Sequence, residues 1–291
     1  MKMNHIFAAA LVSLGALVAP FGSQAATTWT FTNTAGNTSS NGTAKLGTYT
    51  GADADLTISG LYASNNGSGN ITGNWTAATS SQMTYWASSG VGMNSLTGGN
   101  TEGHPDHGFD NNVRTEAVLL SFDESVVLSN IGLGWVYNSN TDLSLFRWVG
   151  DGAPPTTTGT STTMTGWELV GNYGSMNADK SVPTTPVNTG NSSTGGDSGL
   201  GSSWWLVSAY NAGYAGYSTS SDTETKGTVN NGGDYFKLYS VSGYKCTGAD
   251  CGGGGNQVPE PGSLALVALG LLGATWARRR GADARGSAAG A

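Results

Sequence analysis

Four apolar-rich segments, residues 117–122, 126–128, 131–137 and 143–148, follow one another at intervals of about ten residues. Polar turn chemistry separates them, including Asp123-Glu124-Ser125 and Asn138-Ser139-Asn140. Short apolar runs divided by turn residues at this spacing predict the strands of a β-sandwich. Composition agrees, because Gly, Ser, Thr and Asn dominate and charged residues are 11% of the chain, which favours strands and turns over helices.

Further strands are predicted at 28–32, 48–50, 56–62, 83–87, 167–173, 203–210 and 234–244, where apolar and polar side chains alternate. Residues 34–43, 150–165 and 175–201 are polar, turn-rich loops. The fold class is therefore all-β: a single β-sandwich, jelly-roll-like, with long polar loops. Adjacent Trp204 and Trp205 must point to opposite faces of their strand, so one of them belongs to the core.

Both ends lie outside that body. Met1 to His5 is a short basic start, residues 6–18 are apolar, and Ser23-Gln24-Ala25 places small residues where a signal peptidase reads them. Residues 1–25 are thus a secretory signal helix with cleavage after Ala25, and residues 26–250 form the β body. Of the 12 Lys and Arg, five lie outside residues 26–261, and of the 19 Asp and Glu, one (Asp283) does; the remaining seven and eighteen give residues 26–261 a net charge of about −11. Such a body has no basic stripe with which to neutralise phosphates, which argues against nucleic acid and against anionic membrane surfaces. Cys246 and Cys251 predict one local disulfide in an oxidising compartment, closing a short loop that contributes roughly 2 kcal/mol or less.

After a glycine-rich linker at 251–257, the chain carries Val258, Pro259, Glu260 and Pro261, an uncharged apolar run at 264–277, and Arg278, Arg279 and Arg280. A helix over that run is about 21 Å long, shorter than the roughly 30 Å hydrocarbon core, so it crosses a membrane only with help from its flanks. The arginines stay on the cytoplasmic side and place the preceding chain outside it. This order of parts resembles the PEP-CTERM sorting signal, which implies a C-terminal apolar sorting helix over 258–280 that anchors transiently in the inner membrane and is processed by an exosortase. It further implies a Gram-negative cell that makes extracellular polysaccharide, and delivery to the cell surface or exterior. Residues 281–291 are expected to form a short disordered tail. Within the body, residues 107–111, 121–123, 132–135, 171–173, 204–210 and 234–238 are similar to a family of exosortase-dependent surface proteins, which implies surface sorting and no particular chemistry.

The one concentrated cluster of chemistry-bearing residues is His104, Asp106, His107, Asp110 and Asn111. Pro105 breaks a helix between the histidines, so the oxygen-rich Asp106, Asp110 and Asn111 suit a calcium ion better than a transition metal. The reading set ahead of either metal is a structural loop in which Asp110 and Asn111 cap turns. No cofactor is required by any motif. Glu116, Asp123, Glu124 and Asp142 supply carboxylates for a polysaccharide hydrolase, but a facing pair is not legible from sequence. Trp135, Trp148, Trp204 and Trp205 are candidates for stacking against sugar rings. The sequence thus points to an exported, non-catalytic surface or matrix protein of adhesive or glycan-binding type, with signal peptidase and exosortase as export partners and extracellular polysaccharide as a candidate ligand. A secreted polysaccharide hydrolase is the alternative.

Overall fold

The computed structural model describes residues 26–31, 48–51, 53–66, 71–79, 82–86, 88–95, 107–139, 141–154, 166–178, 185–186, 200–212, 214, 218–230 and 232–246. The secretory signal with Ala25, the 251–257 linker, the 258–280 tail and residues 281–291 lie outside them, as do His104, Asp106 and Cys251. Among the described residues there are fourteen strands. They are β1 (Thr27–Thr30), β2 (Thr48–Tyr49), β3 (Leu56–Ser64), β4 (Thr76–Ala77), β5 (Met83–Trp86), β6 (Gly90–Met93) and β7 (Phe109–Asp110), followed by β8 (Arg114–Val136). After it come β9 (Thr141–Trp148), β10 (Trp167–Met176), β11 (Thr185–Pro186), β12 (Gly201–Ala209), β13 (Ser218–Lys226) and β14 (Tyr235–Lys245). Among the described residues no helix is long and apolar enough to cross a membrane.

The all-β expectation holds. Pairing joins every strand into one hydrogen-bonded sheet, along the path β13-β10-β9-β12-β8-β14-β6-β5 with the short strands attached at its sides. Every pair is antiparallel except β10 with β13. The link is β8, which is 23 residues long. Its first part pairs with β3 and β12, and its last part, from Val126 to Val136, pairs with β14.

Here the structure corrects the strand count drawn from the sequence. Asp123-Glu124-Ser125 does not end a strand. It is absorbed as a bulge, since Trp204 faces Ser121 while Ser202, two residues earlier, faces Val126. The polar residues still act locally: Asp123 exchanges two bonds with the backbone of Asp55, its N–H donating to Asp55 O at 3.1 Å and its Oδ1 accepting from Asp55 N–H at 2.8 Å. The hydrogen-bonded connectivity among the described strands is carried through β8.

Both faces of the central strands are covered. One cluster gathers Trp29, Ile58, Leu120, Leu145, Trp205 and Val207 together with Leu128, Leu133, Phe236 and Leu238, so both parts of β8 and their partners feed it. A second cluster behind β9 and β12 holds Leu61, Ala117, Phe146, Trp148, Trp167, Leu206 and Tyr214. Double-sided burial explains why Leu145-Phe146 and Trp205-Leu206-Val207 run apolar without alternation. The strand β13, Ser-Thr-Ser-Ser-Asp-Thr-Glu-Thr-Lys, is polar throughout, and backbone pairing with β10 makes it a strand.

Close packing at glycine aligns the outer face. A Cβ at Gly134 would collide with Ser89 O, so glycine there lets the turn after β5 lie against β8. Gly90, with φ +86°, would likewise collide with Leu238 O. Trp86 and Trp135 both meet the Lys237 side chain on this face.

Candidate functional site

At one end of the sheet a set of buried polar side chains ties distant loops together. Asp142, near the start of β9, accepts the N–H of Ser175 on Oδ1 at 2.8 Å and the N–H of Asn230 on Oδ2 at 2.7 Å. Its own N–H donates to Asp234 Oδ1 at 2.8 Å. Asn111 donates from Nδ2 to Asp234 Oδ2 at 2.8 Å and to Tyr210 O at 2.7 Å, and accepts the N–H of Asp234 on Oδ1 at 2.9 Å. The network continues through Asn65 Nδ2, which donates to Asn111 O at 2.8 Å, and Thr115 Oγ1, which donates to Asn65 Oδ1 at 2.7 Å.

Burial dominates the electrostatics of this clasp. The Asp234 carboxyl is pushed up to about 8, first by loss of solvent and then by the nearby charge of Asp142, against the opposing pull of its hydrogen bonds from the Asp142 N–H and the Asn111 side chain. The Tyr210 phenol is raised as well, by burial and by Asp142 and Asp234.

Beside the clasp opens a cleft of about 350 Å³, lined by Tyr137, Asn138, Asn230, Gly232, Gly233, Asp234 and Tyr235. Asn138 takes the left-handed conformation, φ 52°, one of the few side chains that does so at little cost, and so turns the chain from β8 into β9. The Asn230 Oδ1 accepts the N–H of Gly232 at 3.0 Å and fixes the opposite loop as an Asx turn.

An aromatic row leads away from the cleft. Tyr137 meets Tyr235 edge-on at 5.6 Å and lies 6.5 Å from Trp135. Lys237 pairs in register with Trp135 on β8, and its Nζ sits between two indoles, 3.8 Å from the centre of Trp86 and 4.9 Å from that of Trp135. His107, with φ 68°, places its ring 5.5 Å from Trp86. Trp86, Trp135 and Lys237 are half-buried, and Tyr137 is 38% exposed.

The residues singled out from sequence fall in several places. Asp110 accepts the N–H of Asn112 at 2.9 Å, the turn-capping arrangement, whereas the Asn111 side chain reaches across the fold to Asp234 and Tyr210. His107 rests on Trp86. Among the described residues no group of three or more His, Cys, Asp and Glu gathers as a metal site.

Of the four tryptophans named for sugar stacking, two are corrected. Trp205 is fully buried, its Nε1–H shared between Val126 O and Ser202 O, each at 3.0 Å. Trp148 is 5% exposed and packs edge-on against Trp167 at 5.4 Å. Trp204 is half-buried against the second cluster, which leaves Trp135 as the one beside the cleft.

The carboxylates considered for hydrolysis are each engaged. Glu116 Oε1 accepts the N–H of Ser95 at 2.8 Å, Asp123 holds Asp55, Asp142 holds Ser175 and Asn230, and the exposed Glu124 pairs with Lys245 at 3.1 Å. Arg147 is bound to Glu168 at 2.8 Å. Cys246 is disulfide-bonded, and its N–H donates to Ser125 O at 2.8 Å. Sequence reasoning missed the clasp and the Lys237 stack, because both depend on residues far apart in the chain.

Residues 257–280 match the PEP-CTERM protein-sorting motif. This motif directs export across the inner membrane, with processing by an exosortase, to the cell surface or extracellular space. No curated protein and no solved structure matches the chain.

Proposed function

We propose that the exported β body acts at the cell surface or in the matrix as a non-catalytic, adhesive module that contacts polysaccharide. The observation that carries this reading is the partly open aromatic row of Trp86 on β5, Trp135 on β8 and Tyr137 in the turn just after β8, beside a polar cleft. Flat, ordered rings with polar groups at their margin suit a ligand that is apolar on one face and hydroxylated at its edge. The engagement of Glu116, Asp123 and Asp142 as acceptors for backbone amides supports a structural use of the acids over a hydrolytic one.

The test is co-sedimentation of the exported protein with extracellular polysaccharide from the producing cells, alongside an assay for new reducing ends. Binding without release of reducing ends is expected, with retention reduced about tenfold in the Trp135→Ala, Tyr137→Ala double variant, equivalent to about 1.4 kcal/mol. Release of reducing ends that disappears in His107→Ala or Asp110→Ala would instead establish the hydrolase.

A further inference from the structure

Resting on the adhesive reading above, we infer that the cleft between Tyr137-Asn138 and Asn230-Tyr235 is a binding site for a neutral saccharide, with the Tyr137 ring as its stacking surface and the Asn138 and Asn230 amides as its polar contacts.

The cleft is pre-shaped. Its Asn230 wall is fixed from two sides, by the bond from its N–H to Asp142 Oδ2 and by the Asx turn onto Gly232. Asp234 is held by Asn111 through both its carboxyl and its N–H. Tyr235 is anchored through its carbonyl, which accepts from Thr141 Oγ1 at 2.8 Å. A site whose loops are fixed before binding loses little freedom when a ligand enters. Its volume of about 350 Å³ is at the low end for ligand clefts, a size suited to one or two rings rather than a bulky partner.

Charge selects the class of ligand. None of the lining residues is Lys, Arg or His, and the negative charge closest to the cleft is that of Asp142, behind the proton-holding carboxyl of Asp234. Residues 26–261 hold seven Lys and Arg against eighteen Asp and Glu. Lys237, the nearest cation on the row, has its ammonium between the Trp86 and Trp135 rings. Phosphorylated, sulfated or uronate-bearing sugars therefore meet repulsion from Asp142 and from the net negative charge of the body, with no compensating cation among the described lining residues. A neutral hexose chain meets none, and it offers the hydroxyls that asparagine side chains bond through both donor and acceptor. Gly232 and Gly233 add no side chain of their own to that rim.

The test is a titration of the exported protein with cellohexaose, mannohexaose and a linear galacto-oligosaccharide, and in parallel with hexagalacturonate, followed by isothermal calorimetry and by tyrosine and tryptophan emission. Saturable binding of at least one neutral probe is expected, weakened at least tenfold by Tyr137→Ala and also by Asn230→Ala. Hexagalacturonate should bind at least tenfold more weakly than that neutral probe. Tyr137 is exposed, so its variant should keep the wild-type melting temperature, which a thermal scan checks. Equal or tighter binding of hexagalacturonate overturns the inference, as does binding of none of the neutral probes. Neutral binding that survives Tyr137→Ala but is lost in Trp86→Ala or Trp135→Ala moves the contact onto the row; it ends the cleft assignment while leaving the adhesive reading intact. Failure of the wild-type protein to co-sediment with the producer's polysaccharide removes the adhesive reading itself.

Discussion

Asn111 and Asp234, 123 positions apart, are joined by hydrogen bonds in both directions, Nδ2 donating to the Asp234 carboxylate at 2.8 Å and Oδ1 accepting the Asp234 N–H at 2.9 Å. The same Nδ2 also reaches Tyr210 O, so one amide fixes the start of β14 against the end of β12. Loops that would otherwise move independently are held at the cleft by this one residue.

Asn111→Ala should therefore be costly. It leaves the Asp234 N–H and the Tyr210 carbonyl without their partner in a buried setting, a loss of about 2–4 kcal/mol. Urea unfolding should show a lower midpoint with little change in slope. Because Asp110 and Asn111 already serve the fold, addition of a calcium chelator should leave the wild-type midpoint unchanged.

Asp234 should make stability depend on pH in an unusual direction. Its folded value, about 8, is above that of an unfolded aspartate, so the folded state holds the proton more tightly. The contribution is complete below the unfolded value of about 4 and is lost as pH rises through about 8. A carboxyl carbon titration by NMR should give a midpoint near 8 for this residue, and the melting temperature should fall between pH 5 and pH 9. A midpoint near 4 would show that the hydrogen bonds outweigh burial.

Neighbouring tryptophans should respond unequally. Trp205→Ala opens a cavity in the larger cluster and removes a donor to two carbonyls, for about 3–5 kcal/mol. Trp204→Ala, at a half-buried position on the other face, should cost less than about 2 kcal/mol. Denaturant curves of the two variants make the comparison directly.

Cys246→Ser should be mild. The two cysteines are separated by four residues, so the bridge closes a short loop and contributes roughly 2 kcal/mol or less. Thermal scans with and without reductant should differ by only a few degrees in the wild type and not at all in the variant.

The class of fold was legible because double-sided burial writes itself as unbroken apolar runs, as in Trp205-Leu206-Val207, and one-sided burial as alternation, as in Leu56-Thr57-Ile58. Connectivity was not. Asp123-Glu124-Ser125 has the chemistry of a turn, and only pairing on both sides of it shows that β8 bulges and continues. Nor does the polar string of β13 carry a periodic signal; its strand is defined by the neighbour it pairs with. Around the site, the turn made by Asp110 with the N–H of Asn112 is the local arrangement its side chain offers, two residues apart in the chain. The clasp of Asn111, Asp142 and Asp234 unites parts of the chain that no window spans, and Lys237 gains its place from Trp86 and Trp135 on two other strands.

Where the protein resides tests the account at its root, since the sorting motif at 257–280 is what gives the β body a surface to act on. Cells producing the wild type and a Pro259→Ala, Glu260→Ala, Pro261→Ala variant should be fractionated and each fraction probed for the β body. The account predicts wild-type protein at the surface or in the medium and the variant retained with the inner membrane. Intact wild-type chain in the cytoplasm, or a variant displayed as well as the wild type, would contradict it.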